Sequence, residues 1–222
     1  MDLADAYRPI RGRLVDLAAD LTEEESTLTV LATPAWDVRD TFAHLVGAID
    51  DVLTGTLEGY GTEAWTAAHV TSRTGDTLKT ICAEWSRRAP DFERLLDSTA
   101  NTYAPLVAGT WTHEQDIRGS LGLKSVGDTG GMELTLDLVD DIGGRIDSAG
   151  EGALRIRAGG RVWTLGSSEV AATLDTSPYV LARLVYGRRS AAQIAALDWE
   201  GDPTPYLALI GRYDLAQTEI DD

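Results

Sequence analysis

The chain has 222 residues, 43% hydrophobic and 25% charged, enough for one large core or two small ones. Its formal net charge of −17 repels phosphate backbones and anionic headgroups, which argues against nucleic-acid and membrane partners and says nothing about substrate. No apolar run approaches the roughly 20 residues of a membrane span. MDLADAYRPI lacks the basic-then-apolar layout of a secretory leader, and the single Cys82 matches a reducing compartment, so the expected location is cytoplasmic.

Leu3, Tyr7, Ile10, Leu14, Leu17 and Leu21 recur in steps of three and four, which predicts a first helix with one apolar face. Asp37 is suited to cap a second helix, with Asp40 in its first turn, Val38, Phe42, Leu45, Ile49 and Val52 inward, and Gly55 as its stop. Gly59 to Gly75 is less periodic and reads as a long connection, with a helical turn around Trp65 to Val70. A third helix carries Leu78, Ile81, Trp85, Phe92 and Leu95, and Pro90 is expected to kink or split it. A fourth opens near Pro105 and stops at Gly122. Four such stripes predict a four-helix bundle over residues 1–125.

Beyond the glycine-rich linker around Gly127–Gly131, residues 126–222 read as a smaller α+β domain, so the fold class is α+β overall. Met132, Leu136, Val139, Ile142 and Ile146 predict one more helix. Ala153–Arg157 and Arg161–Leu165, separated by Gly159-Gly160, predict a hairpin in an antiparallel sheet. A third strand over Glu169–Asp175, a helix over Pro178–Tyr186, a turn at Ala191–Ala196, a short strand at Asp198–Asp202 and a last helix complete the pattern.

Three histidines are present: His44, His69 and His113. His44 borders the apolar stripe of the second helix, and His113 sits one turn before Ile117 on the fourth. Histidines converging from separate helices are a recurrent way to build a metal site, and a hydrogen-bonded core histidine is the plainer alternative. His69, on the connection, reads as a loop or surface histidine, with entry into the site as the alternative. Glu114, adjacent to His113, is expected to point off the shared face. Cys82 reads as a small helix-core residue. Trp85, Trp163 and Trp199 read as core, and Trp36 and Trp111 as walls of a pocket near the histidines. Arg118, Arg188 and Arg189 are candidates for an anionic substrate or for ion pairs, with a surface role favoured for Arg189. No G-x-S-x-G, H-E-x-x-H or C-x-x-C motif occurs.

The segment from Trp36 to Leu45, WDVRDTFAHL, resembles the W-x-V-x-D-x-x-x-H-L signature of the mycothiol-dependent maleylpyruvate isomerase family, part of the DinB-like superfamily. Trp111 to Arg118 with Leu121-Gly122 resembles that family's second signature, W-x-H-x-x-D-I-R-x-x-L-G. Leu181–Arg189 and Trp199–Asp202 are similar to the sterol-carrier-like domain that such proteins append. The resemblance implies a DinB-like bundle, a divalent metal (usually taken as zinc), and mycothiol as thiol cosubstrate of an isomerase or S-transferase. It maps two metal-binding histidines onto His44 and His113, and a carboxylate ligand onto a position occupied here by Gly109. Asp51, two turns beyond His44, is the expected substitute ligand, while Asp116 and Arg118 orient a ligand or meet substrate together with Arg188. The alternative is a degenerate member without metal, binding a small ligand or a partner, or running a metal-independent reaction in the same pocket.

Overall fold

A computed structural model describes residues 2–127 and 129–222. The chain divides into two compact units, residues 1–125 with 222, and residues 126–221.

In the first unit, α1 (Leu3–Asp20) starts at Asp2, whose carboxylate accepts from the amides of Ala4 and Asp5. A single turn, α2 (Glu23–Ser26), precedes α3 (Val38–Thr54). Asp37 and Asp40 form a reciprocal capping box at the start of α3, which fixes where that helix begins and hence which way His44 points. The remaining helices are α4 (Glu63–Thr71), α5 (Leu78–Ser98) and α6 (Ala104–Ser120). Helix α1 packs on α5 and α6, and α3 packs on α4, α5 and α6. The core is Tyr7, Ile10 and Leu14 against Phe42, Ile49, Trp85, Phe92 and Trp111, all wholly buried. Tyr7 accepts a 2.6 Å bond from Trp85 Nε1, so the indole N–H is satisfied inside an otherwise apolar interior.

One expectation changes here and another is extended. Pro90 does not split the third long helix: α5 runs unbroken from Leu78 to Ser98. Pro90 and Ser86 are both exposed, so water can take the carbonyl that proline leaves unbonded. The helical turn expected around Trp65 to Val70 is present and longer, residues 63–71 forming α4, capped by Thr62.

In the second unit, the expected helix over 132–146 is two, α7 (Gly130–Leu136) and α8 (Asp141–Ala149). Short-range bonds such as Leu138 N to Thr135 O and Val139 N to Leu136 O tighten the acid-rich junction, yet Met132, Leu136, Val139, Ile142 and Ile146 all stay buried. Strands β1 (Ala153–Ala158), β2 (Arg161–Leu165), β3 (Val170–Thr176) and β4 (Asp198–Glu200) form one sheet in the order β2-β1-β3-β4. Gly159 and Gly160 both have positive φ, at 57° and 81°, which a two-residue hairpin turn requires. The sheet is mixed rather than antiparallel, because β3 pairs with β1 in parallel, Ile156 opposite Leu174. Helices α9 (Pro178–Val185) and α10 (Ala191–Ala195) lie between β3 and β4 in sequence, α7 packs on α9, and α8 packs on β1 and β2. The last expected helix is only a 3-10 turn at Thr204–Tyr206, where Pro203 and Pro205 limit helical hydrogen bonding. Among the described residues no helix is long and apolar enough to cross a membrane.

Candidate functional site

Three elements of the first unit bring the histidines together. His44 lies midway along α3, His113 midway along α6, and His69 in the last turns of α4. The ring centroids of His44 and His113 are 5.3 Å apart, edge to face, and those of His44 and His69 are also 5.3 Å apart. His69 is buried, 4% exposed, so the loop or surface reading of this residue does not hold.

Two of the three, His69 and His113, are paired with carboxylates, and His44 meets His69. His69 Nε2 lies 2.9 Å from Asp51 Oδ2, and His69 Nδ1 lies 3.1 Å from His44 Nδ1. An ionised carboxylate only accepts, so Asp51 takes the proton on Nε2 and leaves the lone pair of a neutral His69 on Nδ1, facing His44. Burial pushes the His69 pKa below the ordinary imidazole value, with Asp51 partly opposing it, which keeps the ring neutral. His113 Nδ1 lies 3.1 Å from Asp116 Oδ2, one turn along α6.

Aromatic rings enclose this group. Trp36 sits 5.0 Å from His44 and 6.4 Å from His113 between centroids, and Trp65 sits 4.2 Å from His69 and 6.1 Å from His44. Tyr60 packs on Trp65 at 4.8 Å. Trp65 Nε1 is enclosed with no hydrogen-bond partner among the described residues, a donor available to a ligand. Trp111 is wholly buried in the core of the bundle.

Helix α4 is held in position around His69. Gly47 of α3 lies against His69 so closely that a Cβ there would stand 2.5 Å from the ring. Arg73, just past α4, donates to the His69 carbonyl at 3.2 Å and grips Glu84 of α5 through two bonds of 3.0 and 2.6 Å. Outside His69 opens a cleft of about 710 Å³, lined by Asp51, Glu58, Trp65, Arg73 and Asp76 among others. His69 and Asp51 therefore reach this cleft, whereas His44 and His113 are not among its lining residues.

Of the other residues singled out by sequence, Asp51 meets His69, whose ring spans the gap between it and His44. Glu114 does point away from the histidines: it is buried and forms a two-bond pair with Arg13 of α1, both bonds 2.6 Å. Arg118 Nε donates to the Lys124 carbonyl at 2.6 Å. In the second unit, Arg188 and Arg189 are buried, Arg188 donating to the Tyr186 carbonyl and Arg189 to that of Arg188, each at 2.7 Å, so Arg189 is not a surface residue. Cys82 lines a separate cleft with Val15, Ala18, Leu78 and Ser86. Sequence reasoning missed Trp65 and discounted His69; their spacing of four behind a capping threonine was the available signal.

The donors suit a divalent metal in chemistry and in one distance. Two nitrogens on a tetrahedral zinc, at about 2.0–2.1 Å each, lie roughly 3.3 Å apart. The Nδ1 atoms of His44 and His69 are 3.1 Å apart. Gly109, half-buried on α6 one turn before His113, offers no side-chain donor. As the side chains stand, no group of three or more His, Cys, Asp or Glu among the described residues closes on one point.

No protein-family model matches the sequence, and no curated protein matches it significantly. Two solved structures are similar in fold. One is the mycothiol-dependent maleylpyruvate isomerase, at 12% identity and a TM-score of 0.55 over 84% of this chain and 88% of that one. The other is a histidine-to-alanine mutant of the mycothiol-dependent maleylpyruvate isomerase, at 11% identity and a TM-score of 0.54 over 83% and 88%. At such identities the likeness shows a shared fold.

Proposed function

We propose that the chain is a thiol-dependent enzyme of the isomerase or S-transferase type, with mycothiol as its thiol, and that its reaction occurs against the His44–His113 pair. The observation that carries this reading is the convergence of imidazoles from α3, α4 and α6 beneath Trp36, in a chain that shares the fold of the mycothiol-dependent maleylpyruvate isomerase. Trp36 packs near two of the rings and offers an aromatic wall for a bound thiol. The unpartnered Trp65 N–H offers a hydrogen bond to a ligand acceptor. A divalent metal bound here supplies positive charge that favours thiolate over thiol at neutral pH. In the isomerase case, thiolate sulfur bonds to one carbon of an electrophilic double bond and the π electrons move onto the conjugated acceptor. Rotation about the resulting single bond and breakage of the C–S bond then return the thiolate, with no net oxidation. The protein's own thiol is unsuited to this role, since Cys82 lies in another cleft and burial pushes its pKa up to about 11.

One observation favours a second reading. Gly109 removes the carboxylate that the sequence resemblance expects, which suits a small-ligand-binding descendant without catalysis. Titration with mycothiol, followed by the fluorescence of Trp36 and Trp65, separates the two together with turnover of maleylpyruvate as probe substrate. Saturable quenching, lost in His113→Ala, together with thiol-dependent turnover supports the enzyme. Quenching without turnover favours the binding protein, and neither response up to millimolar thiol overturns the thiol-dependent reading.

A further inference from the structure

The sheet of the second unit has two edges, and they are not alike. The β4 edge is 3 residues long and carries Asp198 and Glu200, the short and charged form that keeps one strand from pairing with another. The β2 edge, Arg161 to Leu165, has no lysine, no proline and no break in its register against β1. Its one charge is already met, since Arg161 pairs with Glu133 at 2.9 Å and with Asp137 at 3.5 Å. From Gly152 to Ser168 the chain has no acidic residue, although Asp and Glu outnumber Lys and Arg by 36 to 19 overall. The repulsion that a net charge of −17 sets between copies is therefore not reinforced along this strand.

The two-residue turn at Gly159-Gly160 makes Ala158 and Arg161 a hydrogen-bonded pair, and the pairs alternate from there. Arg161, Trp163 and Leu165 thus turn their amides and carbonyls toward β1, while those of Val162 and Thr164 face outward. Among the described residues no backbone hydrogen bond from outside the sheet reaches either of them. Both side chains are exposed, and Val162, at 62%, is the most exposed large apolar residue among those described. The strand is also complementary to a reversed copy of itself. A two-fold axis at Trp163 sets Val162 opposite the partner's Thr164, and Thr164 opposite the partner's Val162. Each is a hydrogen-bonded pair exchanging two bonds, about four in all, and each joins two β-branched side chains. The same axis brings Trp163 beside the partner's Trp163 on the other face.

We propose that two copies of this chain associate through antiparallel pairing of β2 with β2 about Trp163, joining their four-stranded sheets into one. A second copy is the fitting occupant because the pairing closes on itself, using both free β2 edges and leaving none to extend. Strand β4, at 3 residues, does not match the 5 of β2, and its use would build an open chain of copies. A contact of 5 residues per copy buries less than the roughly 1,200 Å² of a standard interface, so the dimer is weak, half dissociated at about 10–100 µM.

Sedimentation equilibrium of the full chain, from about 1 to about 500 µM, reads the association. Hydrogen exchange labelled at the two ends of that range, with residue resolution, reads the strand. A single monomer–dimer equilibrium is expected. The amides of Val162 and Thr164 should exchange roughly 3–10-fold more slowly at the upper end. Those of Trp163 and Leu165, already bonded to β1, should change little. Thr164→Pro removes an outward amide, which an edge strand tolerates, and should weaken the dimer by about tenfold or more with the monomer intact. Val162→Lys puts a charge on the edge and should act alike. Where Thr164→Pro fails to fold by circular dichroism, Val162→Lys carries the same expectation.

A chain that stays monomeric at every concentration overturns the proposal. So does a dimer indifferent to both variants with the Val162 and Thr164 amides unprotected, which assigns the contact to another surface. Species beyond the dimer that grow with concentration overturn it in favour of head-to-tail pairing of β2 with β4.

Discussion

Gly47 and His69 are fitted to each other: a methyl group on Gly47 would sit 2.5 Å from the His69 ring, well inside contact distance. Alanine is a better helix former than glycine by about 0.5–1 kcal/mol, so Gly47→Ala should stabilise α3 were helix propensity the only question. Overpacking against a buried ring costs roughly 1–3 kcal/mol and should win. Gly12, on α1 with no atom within 4 Å of where a methyl group would stand, is the control, and Gly12→Ala should gain about 0.5–1 kcal/mol. Urea denaturation of the two variants measures the contrast. Gly47→Ala should also part His69 from His44, and a wild-type histidine Nδ1 signal in its NMR spectrum would contradict the fitted contact.

The pair between Arg13 and Glu114 joins α1 to α6 beside His113, and its two members are not equivalent. The Glu114 side chain is 1% exposed and that of Arg13 is 29% exposed. Removing the arginine strands a buried carboxylate, while removing the carboxylate leaves an arginine that water can reach. Arg13→Met should therefore destabilise more than Glu114→Gln, by about 3 kcal/mol against about 1 kcal/mol. Equal losses in chemical denaturation would contradict this asymmetry.

The bundle was legible because its stripes are long and its caps explicit. Asp37 with Asp40, Pro105 and Gly55 mark the ends of α3 and α6, so the inward turn of His44 and His113 followed from spacing. His69 was not legible, because α4 is only 9 residues long and its neighbours Ala64, Ala67 and Ala68 carry no strong period. Only the packing of α4 on α3 buries it, and that contact depends on Gly47, far away in sequence. The parallel pairing of β1 with β3 was equally hidden, since alternation along a strand reports which face is buried and not the direction of the neighbour.

Cys82 gives a pH-dependent prediction. Burial raises its pKa from 9.0 to about 11, so the folded chain disfavours the thiolate relative to the unfolded one. Stability from this group is complete below the unfolded value and is lost as pH rises from about 9 to 11, where the unfolded chain releases the proton first. Urea midpoints should fall across that window in the wild type and fall less in Cys82→Ala. At pH 8 the native thiol should react with a disulfide reagent far more slowly than the unfolded chain does, and comparable rates would rule out the buried, protonated state.

Arg73 and Glu84 test how His69 is held. Arg73 is bonded both to the His69 carbonyl and, by two bonds, to Glu84 on α5, and its side chain is only 9% exposed. Glu84→Gln removes the charge and one of the two matched acceptors while leaving α5 intact, so the loss is local and not global. Hydrogen exchange of residues 63–71 should accelerate by roughly tenfold, the equivalent of about 1.4 kcal/mol of local opening, with exchange in α1 and α6 unchanged. Unchanged exchange in α4 would mean that Gly47 and Asp51 hold His69 without the arginine.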